Sequence, residues 1–378
     1  MRGSTIRQLS MLSAVTPDEL VPAQHPIRRI RPMVDLALAS LEATFDAMYA
    51  AEGRPSIPPE HLLKGCLLMA LYSIRSERQF CERLQYDLLF KWFWGLNVSD
   101  PAFDHSSFAK NRRRLLEHAV SRAFFEAVLL QAGQRQLLSN DHFTVDGTLL
   151  ESWASIKSFK PRAPNLGGQR RPQRKRRGGG GPPAGTGGGR NPEVDFRGQQ
   201  RSNQTHCSTT DPDARLARKG NGREAKLSLA GHVLMENRSG LVVDVEVNSP
   251  SGNAEREAAQ KMLRRTRKGQ RRLTVGGDKG YDTRDFVAGC RELKITPHLA
   301  QNQSGRRSAI DGRTVNRPGY FVSQRLRKRV EEIFGWWKTV AGGRKLRYLG
   351  LKRNQLWAEL TCAAYNLVRM ANLCPAAA

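Results

Sequence analysis

Three carboxylates in different settings are the residues of this chain best suited to chemistry: Asp146, Asp278 and Glu331. Asp146 closes the apolar run His142-Phe143-Thr144-Val145 and precedes Gly147. Asp278 follows Leu273-Thr274-Val275-Gly276-Gly277 and precedes Lys279-Gly280-Tyr281. Short apolar runs bounded by glycine read as buried strands, so both aspartates are expected at strand ends. Glu331 lies in residues 327–341, where apolar positions recur with a helical period. Hard divalent cations prefer oxygen ligands, and a pair of them can hold both the attacking and the leaving oxygen of an in-line displacement at phosphorus. Two acids at strand ends and one on a helix suit such a site.

Helical geometry separates the adjacent glutamates. At about 100° per residue, Val330, Ile333, Phe334, Trp337, Val340 and Ala341 share an arc of roughly 120°, a buried stripe. Arg327, Glu331 and Lys338 fall within about 40° of one another beside it, while Glu332 lies about 100° further round on the wet side. Glu331 is therefore the candidate ligand. The same spacing serves an ordinary Arg327–Glu331 ion pair, and this helix alone favours that plainer reading. Trp337 belongs to the stripe; Trp336 faces outward, to stack on a base or on another helix.

Composition points to a polyanionic partner. Lys plus Arg number 62 against 35 Asp plus Glu, a formal charge of +27, with a pI near 10.6 and a mean hydropathy of −0.55. An excess this large makes nucleic acid the leading partner. No run approaches 18 apolar residues, so no membrane span is expected, and residues 1–10 lack the apolar core of a secretion signal. The six cysteines are scattered without a Cys-x-x-Cys pair, which reads as a reducing, cytoplasmic setting.

The elements that must position the acids follow from texture. Residues 1–30 lack periodicity and read as an irregular arm. Residues 31–138 read as a helical domain, with a helix starting at Pro58-Pro59-Glu60, an aromatic-rich helix over 76–96, and a short helix over 108–117 capped by Asp104-His105-Ser106-Ser107. That short helix carries Lys110, Arg112, Arg113 and Arg114 and is a candidate DNA-end reader, although a solvated charged face accounts for it equally well. Residues 139–375 read as α/β: a strand over 143–146, a hairpin of 226–236 and 241–247, a helix over 252–266, a strand over 273–278, a helix over 285–293, a strand over 295–300, then helices over 325–341 and 354–372. That succession predicts a mixed sheet flanked by helices, preceded by the all-helical N-terminal domain. Residues 157–204 interrupt it. Eight basic residues and no acidic one lie between Lys160 and Arg177, followed by glycine runs. Such a segment is expected to be disordered, either tracking phosphates or acting as a passive spacer. Asp211 and Asp213 read as turn organisers.

Several ordered blocks resemble the DDE transposases of bacterial insertion sequences, in particular insertion sequence family five. The N-terminal blocks are Pro58-Pro59-Glu60-His61-Leu62-Leu63-Lys64, Tyr72-Ser73-Ile74-Arg75-Ser76-Glu77-Arg78-Gln79 and Phe90-Lys91-Trp92-Phe93-Trp94-Gly95-Leu96. The later ones are Val145-Asp146-Gly147-Thr148, Thr210-Asp211-Pro212-Asp213-Ala214-Arg215-Leu216, Asp278-Lys279-Gly280-Tyr281-Asp282 and the run from Arg327 to Lys338. The resemblance implies a ribonuclease-H-like core in which Asp146, Asp278 and Glu331 hold two Mg²⁺ ions, with Mn²⁺ as a substitute. It implies that Arg327 and Lys338 neutralise phosphate charge, and that Gln324 stands where related signatures carry tyrosine. The implied partners are double-stranded DNA, as element terminal inverted repeats and target, and a second copy of the chain on that DNA; the implied setting is the bacterial cytosol at the nucleoid. The implied reaction is strand cleavage followed by 3′-hydroxyl strand transfer. A DNA-binding protein without catalysis and a ribonuclease-H-like nuclease remain the alternatives.

Overall fold

The computed structural model describes residues 15–48, 56–117, 119–162, 193–196, 198–220, 222–267 and 272–374. The first part is helical: α1 Pro17–Leu20, α2 Ile27–Ala39, α3 Glu42–Asp46, α4 Pro59–Leu71, α5 Glu77–Tyr86, α6 Leu88–Trp94, α7 His105–Arg112, α8 Arg114–Glu117 and α9 Val120–Gln134. Asp87 divides the aromatic helix expected over 76–96, because its carboxylate caps α6 by accepting from the amides of Leu89 and Phe90. Part of the expected irregular arm is also folded. Val21, Ile27 and Ile30 enter the core, and Asp18 receives both Arg28 at 2.9 Å and the Trp92 indole at 2.6 Å. Two short apolar insertions show no periodicity, which is why sequence pattern missed them.

A six-stranded sheet follows, built from β1 His142–Glu151, β6 Arg215–Ala217, β7 Lys226–Glu236, β8 Val242–Asn248, β9 Leu273–Gly277 and β10 Ile295–Leu299. The expected disorder over 157–204 does not hold at its ends: β2 Phe159–Pro161 pairs with β5 His206–Ser208, and β3 Glu193–Phe196 pairs with β4 Gln199–Ser202. The glycine runs and most of the basic run lie outside the described residues. The sheet order is β10-β9-β1-β7, with β8 and β6 on the far edge of β7. β1, β9 and β10 are parallel and β7 is antiparallel to β1. One antiparallel hairpin on a parallel trio, joined by crossover helices α10 Ala254–Thr266 and α11 Arg284–Glu292, is the ribonuclease-H-like arrangement.

The segment expected as one helix over 325–341 is broken. α12 Gly312–Val315 and α13 Pro318–Leu326 lead into a 3₁₀ turn, Arg327–Val330, before α14 Glu331–Thr339. α14 lies across the sheet with Trp337 buried against Gly231 of β7, where a Cβ would sit 2.7 Å from the indole and 3.1 Å from Leu150. α15 Leu351–Leu373 then packs on β8 and on α2, α4 and α9. One continuous apolar core therefore joins the N-terminal helices to the sheet. Trp336 packs edge-on against Tyr365 of α15, 6.0 Å between centroids, so it serves helix packing. Gly231→Val should lower stability by roughly 1–3 kcal/mol, because neither the sheet backbone nor the buried indole can yield. A fall in the urea midpoint with an unchanged m-value is the expected reading.

Candidate catalytic site

The β1–β9 ladder pairs His142 with Thr274, Phe143 with Val275 and Thr144 with Gly276. Carried on by two residues, that register sets Asp146 opposite Asp278. Parallel neighbours in register project to the same face, about 4.8 Å apart. β1 does not stop at Asp146 as its sequence suggests; β7 keeps pairing with it to Glu151, and only β9 leaves off. Asp146 thus stands where one neighbour departs, half-buried, with its carboxylate accepting the Gly147 amide at 2.8 Å. Asp278 accepts the Gly280 amide at 2.8 Å in the following turn.

Burial pushes the Asp146 carboxyl up to about 7, and the charges of Asp278 and Glu255 add to the rise while Arg327 opposes it. Sequence reasoning missed Glu255. It comes from the first turn of α10, and its Cγ would lie 3.5 Å from a Cβ at Gly147. The available signal was a helix starting directly after the β7–β8 hairpin, whose first turn must sit over the strand it follows. Beside these acids lie two buried polar atoms without a hydrogen-bond partner among the described residues, Tyr281 Oη and His232 Nδ1. Burial and then the charges of Asp146, Glu255 and Asp278 hold the Tyr281 hydroxyl firmly protonated.

Arg327 shares the face of Asp146 and Asp278, since a Cβ at Gly276 would lie 3.4 Å from the arginine Cβ. Its Nε donates to Gln324 Oε1 at 3.0 Å, and Gln324 Nε2 donates to the His298 carbonyl at 2.7 Å. The expected Arg327–Glu331 pair is absent among the described residues, and Glu331 is exposed with no hydrogen bond or ion pair there. The reason is the 3₁₀ turn. At about 120° per residue it rotates Arg327 roughly 80° away from the position a continuous α-helix would give it. Glu332 is exposed too and pairs with Arg369 at 2.9 Å. Lys338 is half-buried and donates to Thr148 Oγ1 at 2.5 Å; burial and then the neighbouring Lys219 push its ammonium down to about 8.

The basic helix is only partly available to a ligand. Arg112 is committed inward, paired with Glu77 at 2.7 Å and bonded to the Tyr348 hydroxyl at 2.7 Å, which corrects its expected place on a DNA-facing surface. Arg114 donates to Ser56 Oγ at 3.0 Å. Lys110 and Arg113 are exposed. Asp282 is buried and accepts the amides of Asn302 and Ala309, holding the loop after β10. Asp211 and Asp213 accept the amides of Gly350 and Leu351 at the start of α15.

Among the described residues no three acidic or metal-ligating side chains form a ready-made cation cage. Two neighbouring aspartates still suit a divalent cation of the magnesium type, which is commonly held by one or two carboxylates together with substrate phosphates. A cation would also offset the burial and the neighbouring negative charges that raise the Asp146 pKa.

Residues 15–114 match a family described as a transposase domain (DUF772), and residues 202–367 match the transposase DDE domain. Asp278 and Glu331 fall inside the second match, and Asp146 lies between the two. No curated protein matches the chain. Similar solved structures include the cryo-EM structure of the piggyBac transposase synaptic complex with hairpin DNA, 9% identical over 92% of this chain and 75% of that one, with a TM-score of 0.39. The crystal structure of the Mos1 strand transfer complex is 11% identical over 84% and 81%, with a TM-score of 0.20. At such scores these likenesses do not bear on the site. No helix among the described residues is long and apolar enough to cross a membrane.

The raised Asp146 pKa has a sign that differs from that of an ion-paired acid. The folded state holds the proton more tightly than the unfolded chain, so this contribution to stability is full below about pH 4 and is lost as pH rises through about 7. Without divalent cation, Asp146→Asn should therefore be more stable than the parent at pH 8, by about 1–2 kcal/mol after allowance for water access. Thermal melts should show that advantage shrinking towards pH 5.

Proposed function

We propose, from the premise that this chain belongs to the DDE transposases of insertion-sequence type, that it cuts the terminal inverted repeats of its own element and joins the freed 3′-hydroxyls to target DNA. The reading within insertion sequence family five rests on the sequence blocks alone. The observation that supports the proposal is the shared register of β1 and β9, which, carried on by two residues, sets Asp146 opposite Asp278.

In this reading Asp146 and Asp278 hold the metal, and Glu331, from the first turn of α14, completes the ligand set once DNA is bound. Two Mg²⁺ ions, or Mn²⁺ in their place, supply activation of the attacking oxygen and charge stabilisation on the leaving 3′-oxygen. Gln324 fixes the Arg327 guanidinium over the acids, where it neutralises the phosphate at the cut. Lys338 does the same from the far side of Asp146, anchored on Thr148. Lys110 and Arg113 meet the duplex flank, where their charge gives affinity without sequence reading. Bringing two element ends together requires two copies of the chain on DNA, in the bacterial cytosol.

The expected result is loss of metal-dependent cleavage in Asp146→Ala, Asp278→Ala and Glu331→Ala, by at least about a thousandfold, with gel-shift affinity for end DNA kept. Cleavage retained by all three variants would refute the site. Cleavage without joining of the new 3′-end to a second duplex would favour a plain nuclease, and binding without cleavage in the parent a protein that has lost its chemistry.

A further inference from the structure

Beyond Asp146, β1 runs on through Leu149 to Glu151 along the floor of an open trough of about 670 Å³, walled by β6, β7, α14 and the loop after it. Five cationic side chains line it, Lys219, Arg223, Lys226, Lys338 and Arg344, against two acids, Glu151 and Glu224. The acids are engaged within the protein, since Lys226 reaches Glu151 at 3.3 Å and Glu224 at 3.7 Å. Lys219, Arg223 and Arg344 are exposed and make no ion pair with an acid among the described residues. Lys219 lies beside Lys338 at the inner end of the trough, and its charge adds to the burial that lowers the Lys338 pKa.

The rim carries an aromatic ring. Trp153 is 54% exposed, so much of its indole surface is open to a further contact. Lys345 lies 5.7 Å from that ring and reaches Glu151 at 3.9 Å, so ring and trough are contiguous. Cations along a groove with an aromatic face at its edge are the elements that hold single-stranded nucleic acid, phosphates on the charges and a base on the ring. The opening, comparable to a small-ligand pocket, suits a short length of one strand.

We infer that this trough, from Lys338 beside the catalytic acids to Trp153 at the rim, binds an unpaired stretch of the DNA strand being cut, with Lys219, Arg223 and Arg344 on its phosphates and Trp153 stacked on a base. The inference rests on the transposase reading, which supplies the strand, and adds a track for it that the acid site does not define.

The test is fluorescence anisotropy of the full chain with two labelled DNAs of one sequence, a blunt duplex and the same duplex with an unpaired 3′ extension. Melting curves must match the parent's for every variant, which these exposed positions allow. The triple variant Lys219→Ala/Arg223→Ala/Arg344→Ala is expected to weaken binding of the extended DNA by more than tenfold and to reduce the slope of log affinity against log salt by about 2. Trp153→Ala should cost about tenfold on the extended DNA and little on the blunt duplex, with Trp153→Phe restoring most of it. Parent-like affinity and salt slope in the triple variant, or equal losses on both DNAs, overturns the trough. A parent chain that binds neither DNA overturns the transposase reading itself, and the trough with it. Tighter binding of the RNA version of the extension would overturn the assignment to DNA.

Discussion

Parallel pairing of β1 with β9 is the constraint on which the site depends. A ladder that joins Thr144 to Gly276, carried on by two residues, sets Asp146 opposite Asp278 just past the end of β9. Two carboxylates at that spacing repel, and burial makes the repulsion worse. The fold bears this cost through the interior beneath them. Val145, Val275, Leu299 and Phe286 form the apolar layer under α10 and α11, so the ladder is held by packing on the face opposite the acids.

The other wall of the site is fixed from a distance. α14 carries Lys338 and Glu331, and its end is tied to the N-terminal helices. The Ser73 hydroxyl donates to the Val340 carbonyl at 2.6 Å, Arg75 donates to the Lys345 carbonyl at 2.6 Å, and Glu77 pairs with both Arg112 and Arg347. Asp244 on β8 is buried between Arg122 of α9 and Arg265 of α10, at 2.6 and 2.9 Å. Buried carboxylates held by two guanidiniums are costly to break, because removing one partner strands a charge. The helical part is therefore structural support for the sheet.

These ties explain where sequence and structure part company. The block Tyr72-Ser73-Ile74-Arg75-Ser76-Glu77 was legible only as part of a family pattern, yet its polar groups are what clamp the segment after α14. Arg112 looked like a surface charge because it sits in a basic run, and a one-dimensional charge run carries no record of a Glu77 or Tyr348 beside it. Glu331 was chosen over Glu332 by assuming an unbroken helix, and a single 3₁₀ turn alters that geometry. Glu255 was passed over for a related reason: an acid in a helix's first turn reads as a favourable dipole contact, whatever lies in front of it.

The sequence alone determined the periodic features: the order of the strands β1, β7, β8, β9 and β10, the hairpin, the buried stripe through Trp337, the cationic balance, and the two aspartates at the ends of apolar runs. Each is a property of neighbours a few residues apart, so composition and spacing suffice. Only the tertiary structure decided which charges are spent internally, that the charge of Glu255 acts on Asp146, and that Lys338 opens onto a basic trough. Those facts depend on segments tens to hundreds of residues apart being brought within a few ångströms, and no local pattern encodes which distant partner will arrive.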